Sequence, residues 1–215
     1  GRALQPRRLA RRDAMTGTSD RTQLIADLDH AIAEAIRYRG ACTFMLLGIN
    51  NLSRINDAFG FSAADQIICE VARRIRPLLR NGDMLGRFSN NKFGVIIKNC
   101  AGDDMAAVAE RFLAAIRDNV VATAAGPVAV TISAGGVSIP RHARTVDDAL
   151  DHAQEALDVA KRRSAGTFHA WTPSTERESL RRMNIRVTEE IVTALNERRV
   201  VTAFEPVVSA ATREV

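Results

Sequence analysis

Aromatic residues are scarce in this 215-residue chain, which has one Trp, one Tyr and eight Phe. That leaves no interleaved basic and aromatic surface of the kind that stacks single-stranded nucleic acid, so nucleic acid is not expected as a partner. Cysteines are few and unpaired in pattern. Cys42, Cys69 and Cys100 are odd in number, widely spaced and without a CxxC pair. They argue against a zinc site or a disulfide framework, and for reduced thiols in a cytoplasmic setting. His30, His142, His152 and His169 show no ligand spacing, and no metal or other cofactor is expected. No apolar run approaches the ~20 residues that cross a bilayer. No signal-peptide core follows Gly1, and a chain that opens on Gly rather than Met is expected to be a piece of a longer protein.

What is present fits a folded domain, with 46% hydrophobic and 26% charged residues. The net charge of +5 is partly local, because Arg2, Arg7, Arg8, Arg11 and Arg12 crowd the start. Residues 1–12 therefore read as a basic linker from a missing N-terminal region. Such an arm suits a solvated linker, or the cytoplasmic flank of a membrane anchor in the parent protein.

Periodicity divides the rest. Leu24, Ile25, Leu28, Ile32 and Ile36 recur at helical spacing over Arg21 to Arg37, with Asp20 as N-cap. The apolar run Cys42 to Ile49 reads as a buried strand. Ser62 to Arg80 reads as a helix opened by a Ser62-x-x-Asp65 capping box, irregular near Pro77 and stopped at Asn81-Gly82. A hairpin follows, turning at Ser89-Asn90-Asn91-Lys92. Asp103 to Val120 is expected as a helix, Val128 to Ile139 as an alternating strand, Thr145 to Arg163 as a helix and Thr167 to Trp171 as a final strand. The class is α/β, in the α+β sense, with a mostly antiparallel sheet backed by helices. After Pro173 the character changes. A charged helix over Ser174 to Arg199 carries Leu180, Met183, Val187, Ile191 and Leu195 along one side, and "VVTAFEPVV" reads as a new strand.

Four segments, in order, resemble a known family. Asp13-Ala14-Met15-Thr16-Gly17 with Asp20-Arg21 resembles the D-x-L-T-G-L-x-N-R opening of GGDEF domains, the diguanylate cyclases. "INNLSRINDAFGFSAADQII" is similar to their D-I-D-x-F-K-x-I-N-D-x-x-G-H-x-x-G-D segment. "TISAGGVSI" and "AQEALDVAKRRSAG" resemble their late strand and the helix after it. The resemblance implies a nucleotidyl-cyclase-like fold with a five-stranded central sheet over 13–172, a linker helix over 173–199 and, at 200–215, the first strand of a truncated EAL domain. EAL domains are cyclic-di-GMP phosphodiesterases.

In that frame the signature loop departs from the family. Ser89-Asn90-Asn91-Lys92-Phe93 stands in place of Gly-Gly-Asp-Glu-Phe, and Gly48 aligns with a metal-binding Asp. The acids that would hold metal and help activate the attacking hydroxyl are absent, so the expectation is an inactive domain with no metal site. The resemblance places Asn56 and Asp65 where the family recognises guanine, and Lys161 where it contacts phosphate. Asn56-Asp57 read alone is equally a turn, and Asp65 equally a capping acid. Without metal, a phosphate would rely on backbone N–H groups around Ile49 to Leu52. Arg80-x-x-Asp83, five residues before Ser89, matches the family's inhibitory site for cyclic-di-GMP; read alone it is a helix end followed by a strand start. The expected partners are a guanine nucleotide, GTP or cyclic-di-GMP, and an EAL domain in the same chain. A homodimer through the linker helix is a further expectation. The other reading is a nucleotide-free dimerisation or docking module.

Overall fold

The structure is a computed structural model that describes residues 11–100, 102 and 104–199. They fall into two compact units, one ending at Thr172 and one starting at Pro173. Most of the basic arm and the strand expected within 200–215 lie outside the described residues. Among the described residues no helix is long and apolar enough to cross a membrane.

Helix α1 (Arg21–Arg37) starts where its cap predicts, because the Asp20 carboxylate accepts the Gln23 amide at 2.8 Å. Its Leu24, Leu28 and Ile32 are buried, whereas Ile36 is exposed. Strand β1 (Cys42–Ile49) is buried at every position. Two short helices follow, α2 (Leu52–Phe59) and α3 (Phe61–Ile75), and a 3₁₀ turn at Arg76–Leu78 carries Pro77. Strands β2 (Met84–Ser89) and β3 (Lys92–Lys98) make the hairpin, and α4 (Met105–Arg117) packs after it. A small hairpin, β4 (Val121–Thr123) and β5 (Gly126–Val128), precedes β6 (Ile132–Ile139). Helix α5 (Val146–Arg163) and β7 (Phe168–Ala170) complete the first unit, and α6 (Thr175–Asn196) forms the second.

Four sequence expectations are corrected. Residues 52–59 are helical, not a turn. The next helix begins at Phe61 with no side-chain cap, so Ser62 and Asp65 form no capping box. Gly60 breaks the two helices apart at φ +83°, a conformation that costs glycine little, and this outweighs the weaker Ser62 signal. The expected strand from Val128 is split, because Gly126–Val128 pairs with Val121–Thr123 in a separate small hairpin and the long strand begins only at Ile132. The remaining strand, β6, is buried at every position, so the alternation marks two packed faces and not one wet one. The helix expected from Asp103 to Val120 is shorter, and Val120 is exposed.

The central sheet has five strands in the order β2-β3-β1-β6-β7, antiparallel except for β6 with β7. One face packs on α1 and α5 through Leu24, Phe44, Ile96 and Leu157. The other packs on α3 and α4 through Met45, Val71, Phe93 and Phe112. Each such side chain contributes roughly 1.5–3 kcal/mol by leaving water. Helix α5 lies so close to β6 that a Cβ on Gly135 would sit 2.1 Å from the Leu157 amide nitrogen and 2.5 Å from the Ala153 carbonyl. That contact fixes how the C-terminal turn of α5 overhangs the end of β1.

Candidate functional site

Strand register brings the first cluster together. Gly48 pairs with Lys92 on one side and Ser133 on the other. Directly paired residues share a sheet face, and for Gly48 and Lys92 this is the face under α5. A Cβ at Gly48 would lie 2.9 Å from Lys161 Nζ and 3.3 Å from Leu157 Cδ2. The Lys161 ammonium thus occupies the space beside Gly48 where the aligned carboxylate would start. Lys92 reaches the same helix, its Nζ donating to Gln154 Oε1 at 2.9 Å. Gln154 in turn donates from Nε2 to Asp158 Oδ1 at 2.8 Å. Burial holds the Lys161 pKa below its ordinary value, the Lys92 charge lowers it further, and Asp158 opposes both.

A divalent cation does not fit these residues. Gly48 offers no side-chain oxygen, Asn91 brings an uncharged amide and Lys92 and Lys161 bring positive charge. Among the described residues no group of three or more His, Cys, Asp or Glu side chains gathers as a ligand set. The turn itself is held from beneath. Arg87 donates to the Ser89 carbonyl from Nε and to the Asn90 carbonyl from Nη2, both at 2.9 Å. Its Nη1 also lies 3.8 Å from Asp13, whose Oδ1 accepts the Thr16 amide and hydroxyl at 2.9 and 2.7 Å. Burial would raise the Asp13 pKa, yet these Thr16 bonds and the Arg87 charge leave it lowered. Sequence reasoning did not single out Arg87 or Gln154. An Arg two residues before an exposed turn was the available signal for the first, and nothing local marked the second.

The loop after Gly48 is less open to a ligand than its sequence suggests. The Ile49 amide already donates to the Asn91 carbonyl at 2.8 Å and the Asn50 amide to Thr131 at 3.0 Å. The Asn50 side chain is engaged as well, with Thr131 Oγ1 and Ser133 Oγ. The backbone anion site expected at Ile49 to Leu52 therefore loses its first two donors. Asn56 sits on α2 and Asp65, exposed, on α3. Asn56 Oδ1 is buried with no hydrogen-bond partner among the described residues, a costly state for an amide oxygen and one that a ligand donor would relieve.

Arg80 and Asp83 lie apart from this cluster, at the open end of the hairpin, roughly 20 Å of strand from the turn. Asp83 already has partners: Oδ2 accepts the Arg80 amide at 2.9 Å and Oδ1 the Lys98 amide at 3.1 Å. It ties the helix end to the last residue of β3. Two clefts flank the pair. One of about 300 Å³ is lined by Arg12, Arg76, Arg80 and Asp83. The other, of about 290 Å³, is lined by Arg80, Asp83, Lys98 and Arg111. Arg12, Arg76 and Arg111 each give one guanidinium N–H to a backbone carbonyl, of Gly17, Thr16 and Leu78, and keep further donors for a planar anionic ligand in these clefts.

Known proteins share this fold. The family described as diguanylate cyclase, GGDEF domain, matches residues 10–167. Diguanylate cyclase TpbB of Pseudomonas aeruginosa is 26% identical over 159 residues, covering 74% of this chain and 37% of that protein. Cyclic di-GMP phosphodiesterase NbdA of the same species is 26% identical over 211 residues, covering 97% of this chain and 26% of its own length. The chain therefore spans well under half of these relatives. Among solved structures, the GGDEF domain of TpbB superposes with TM-score 0.72 at 25% identity, over 75% of this chain and 95% of that one. The GGDEF domain of DgcB from Caulobacter crescentus, in complex with c-di-GMP, gives TM-score 0.71 at 23% identity, over 78% and 97%; it shares the fold.

Proposed function

The chain belongs to the diguanylate cyclase GGDEF family, and we propose that this member has lost turnover and kept a regulatory role. On this reading it is a catalytically inactive GGDEF domain that binds GTP or cyclic-di-GMP and controls an attached EAL phosphodiesterase. The observation that carries it is the Lys161 ammonium lying against Gly48 with Lys92 beside it. Phosphoryl-type transfer needs a neutralised triphosphate and a base for the attacking hydroxyl. A glycine and two lysines supply neither the metal ligands nor a carboxylate base. The orphaned Asn56 Oδ1 supports a retained place for a guanine N–H. The arginine-lined clefts beside Arg80 support a cyclic-di-GMP site whose donors come from Arg80 more than from the engaged Asp83. The relative named as a phosphodiesterase aligns over nearly the whole chain, which supports an EAL partner.

The test is incubation of the chain with GTP and Mg²⁺ or Mn²⁺ followed by chromatography. No cyclic-di-GMP is expected, and product above an enzyme-free blank overturns the reading. Calorimetric titration with cyclic-di-GMP, beside Arg80→Ala, then tests the ligand: binding lost in the variant is expected.

One observation favours the second reading, a dimerisation or docking module without nucleotide. On α6, Met183, Val187, Ile191 and Leu195 are all exposed. Dimers in sedimentation that vanish with Ile191→Asp, together with no heat from either nucleotide, would favour it.

A further inference from the structure

The lysines beside Gly48 do more than remove a metal site. Three elements converge there: β1 provides a glycine whose missing side chain leaves room for the Lys161 ammonium, β3 provides Lys92 on the same face, and the last turn of α5 provides Lys161. Lys92 is steered by a neutral amide, Gln154, so its charge is oriented without being cancelled. Asp158 is held by the same Gln154 and opposes the charge of Lys161. Two ammonium groups thus stand in the position where the family resemblance would put carboxylates around a cation, with Asp158 opposing the charge of Lys161. The charge of the site has changed sign at its ligands, and the dication is replaced by groups built into the chain.

We propose that Lys92 and Lys161 form a metal-independent binding site for the polyphosphate of a nucleoside triphosphate. Ammonium groups neutralise phosphate oxygens as a bound cation would, and do so without a chelatable ion. A divalent cation brought along by the nucleotide meets two like charges here, so it weakens binding. The inference rests on the reading above that the domain takes a guanine nucleotide and has lost metal chemistry. It adds how the phosphates are held.

The experiment is calorimetric titration of the whole chain with inorganic tripolyphosphate, GTP, ATP and guanosine, each in EDTA and in Mg²⁺. Tripolyphosphate and GTP are expected to bind in EDTA, with equal or weaker binding in Mg²⁺. Lys92→Ala and Lys161→Ala are each expected to weaken tripolyphosphate roughly tenfold, and Lys98→Ala, whose ammonium pairs with Glu34, to leave it unchanged. Thermal melts verify that the variants fold; Lys92→Gln and Lys161→Met are the replacements should an alanine variant not fold. Tripolyphosphate that binds only with Mg²⁺, fails to bind, or binds equally well to both lysine variants overturns the proposal. The two readings fail separately. Guanosine binding without tripolyphosphate binding removes the lysine site and leaves guanine recognition standing. Equal affinity for GTP and ATP, lost in the lysine variants, supports the lysine site and removes guanine recognition.

Discussion

The β2–β3 hairpin carries a lysine at each end of β3, and the two keep opposite company. At the open end Lys98 Nζ meets the Glu34 carboxylate at 2.5 Å, and its amide meets Asp83. At the turn Lys92 meets the amide oxygen of Gln154 and faces a second lysine. One charge is neutralised in place and the other is left for a ligand. The same contrast runs through the acids. Asp83 is engaged by backbone, whereas the turn from Ser89 to Lys92 carries no acid. The acid at the open end is given over to structure, and the acid-free turn end, with its two lysines, is the better candidate for an anion.

The largest test of this contrast removes the turn-end site through its support. Gly135→Ala would push α5 away from β6 at backbone atoms that cannot yield, and is expected to cost about 3 kcal/mol or more in denaturant unfolding. An unchanged unfolding midpoint would mean that α5 does not fix Lys161. Next, Asp83→Ala deletes two acceptor bonds at the open end and is expected to cost about 1–2 kcal/mol. If stability holds and only cyclic-di-GMP binding falls, Asp83 is a ligand contact and the contrast between the ends collapses. Gly48→Asp restores a carboxylate at the turn end. The flexible Lys161 terminus can move aside and pair with it, so a gain of about 1 kcal/mol is expected, with tripolyphosphate binding lost. A stability loss would show that Leu157, 3.3 Å from the new Cβ, governs the site instead.

The smallest effects separate the two ends by pH. Lys161 has a folded pKa below its ordinary 10.5, first through burial and then through Lys92. The folded state disfavours its proton, so stability rises as pH climbs through the lowered value towards 10.5. Glu34 is the reverse case. Its hydrogen bond from Lys98 lowers its pKa below 4.5, so its contribution is full above 4.5 and is lost as pH falls through the lowered value. Melting curves of Lys161→Met and Glu34→Gln against pH check both signs: each variant should flatten one limb alone.

Much of the scaffold was readable in advance. Asp20 before Leu24, Leu28 and Ile32 marks α1, and Thr145 marks the start of α5, because caps and helical spacing act over a few residues. The apolar run of β1 and the turn at Ser89 to Lys92 are equally local. Helix α2 was not legible, because eight residues opening on a left-handed Asn51 carry too little periodicity to stand out. The split before Ile132 was hidden for another reason: Val128 is drawn off to pair with Val121 in the β4–β5 hairpin, a pairing that the alternation of the segment does not disclose.

Residue identity and spacing were enough to determine the fold class, the family and the absence of acids from the loop. They also named Gly48, Lys92 and Lys161, as separate facts. That the three form one site was decided by β1–β3 register and by the close seat of α5 on Gly135. That Asp83 serves the backbone was decided by the way β3 ends against the turn after Arg80. Short-range propensities act within one element, whereas the company a charge keeps depends on which elements pack together, and packing is settled only when the whole core closes.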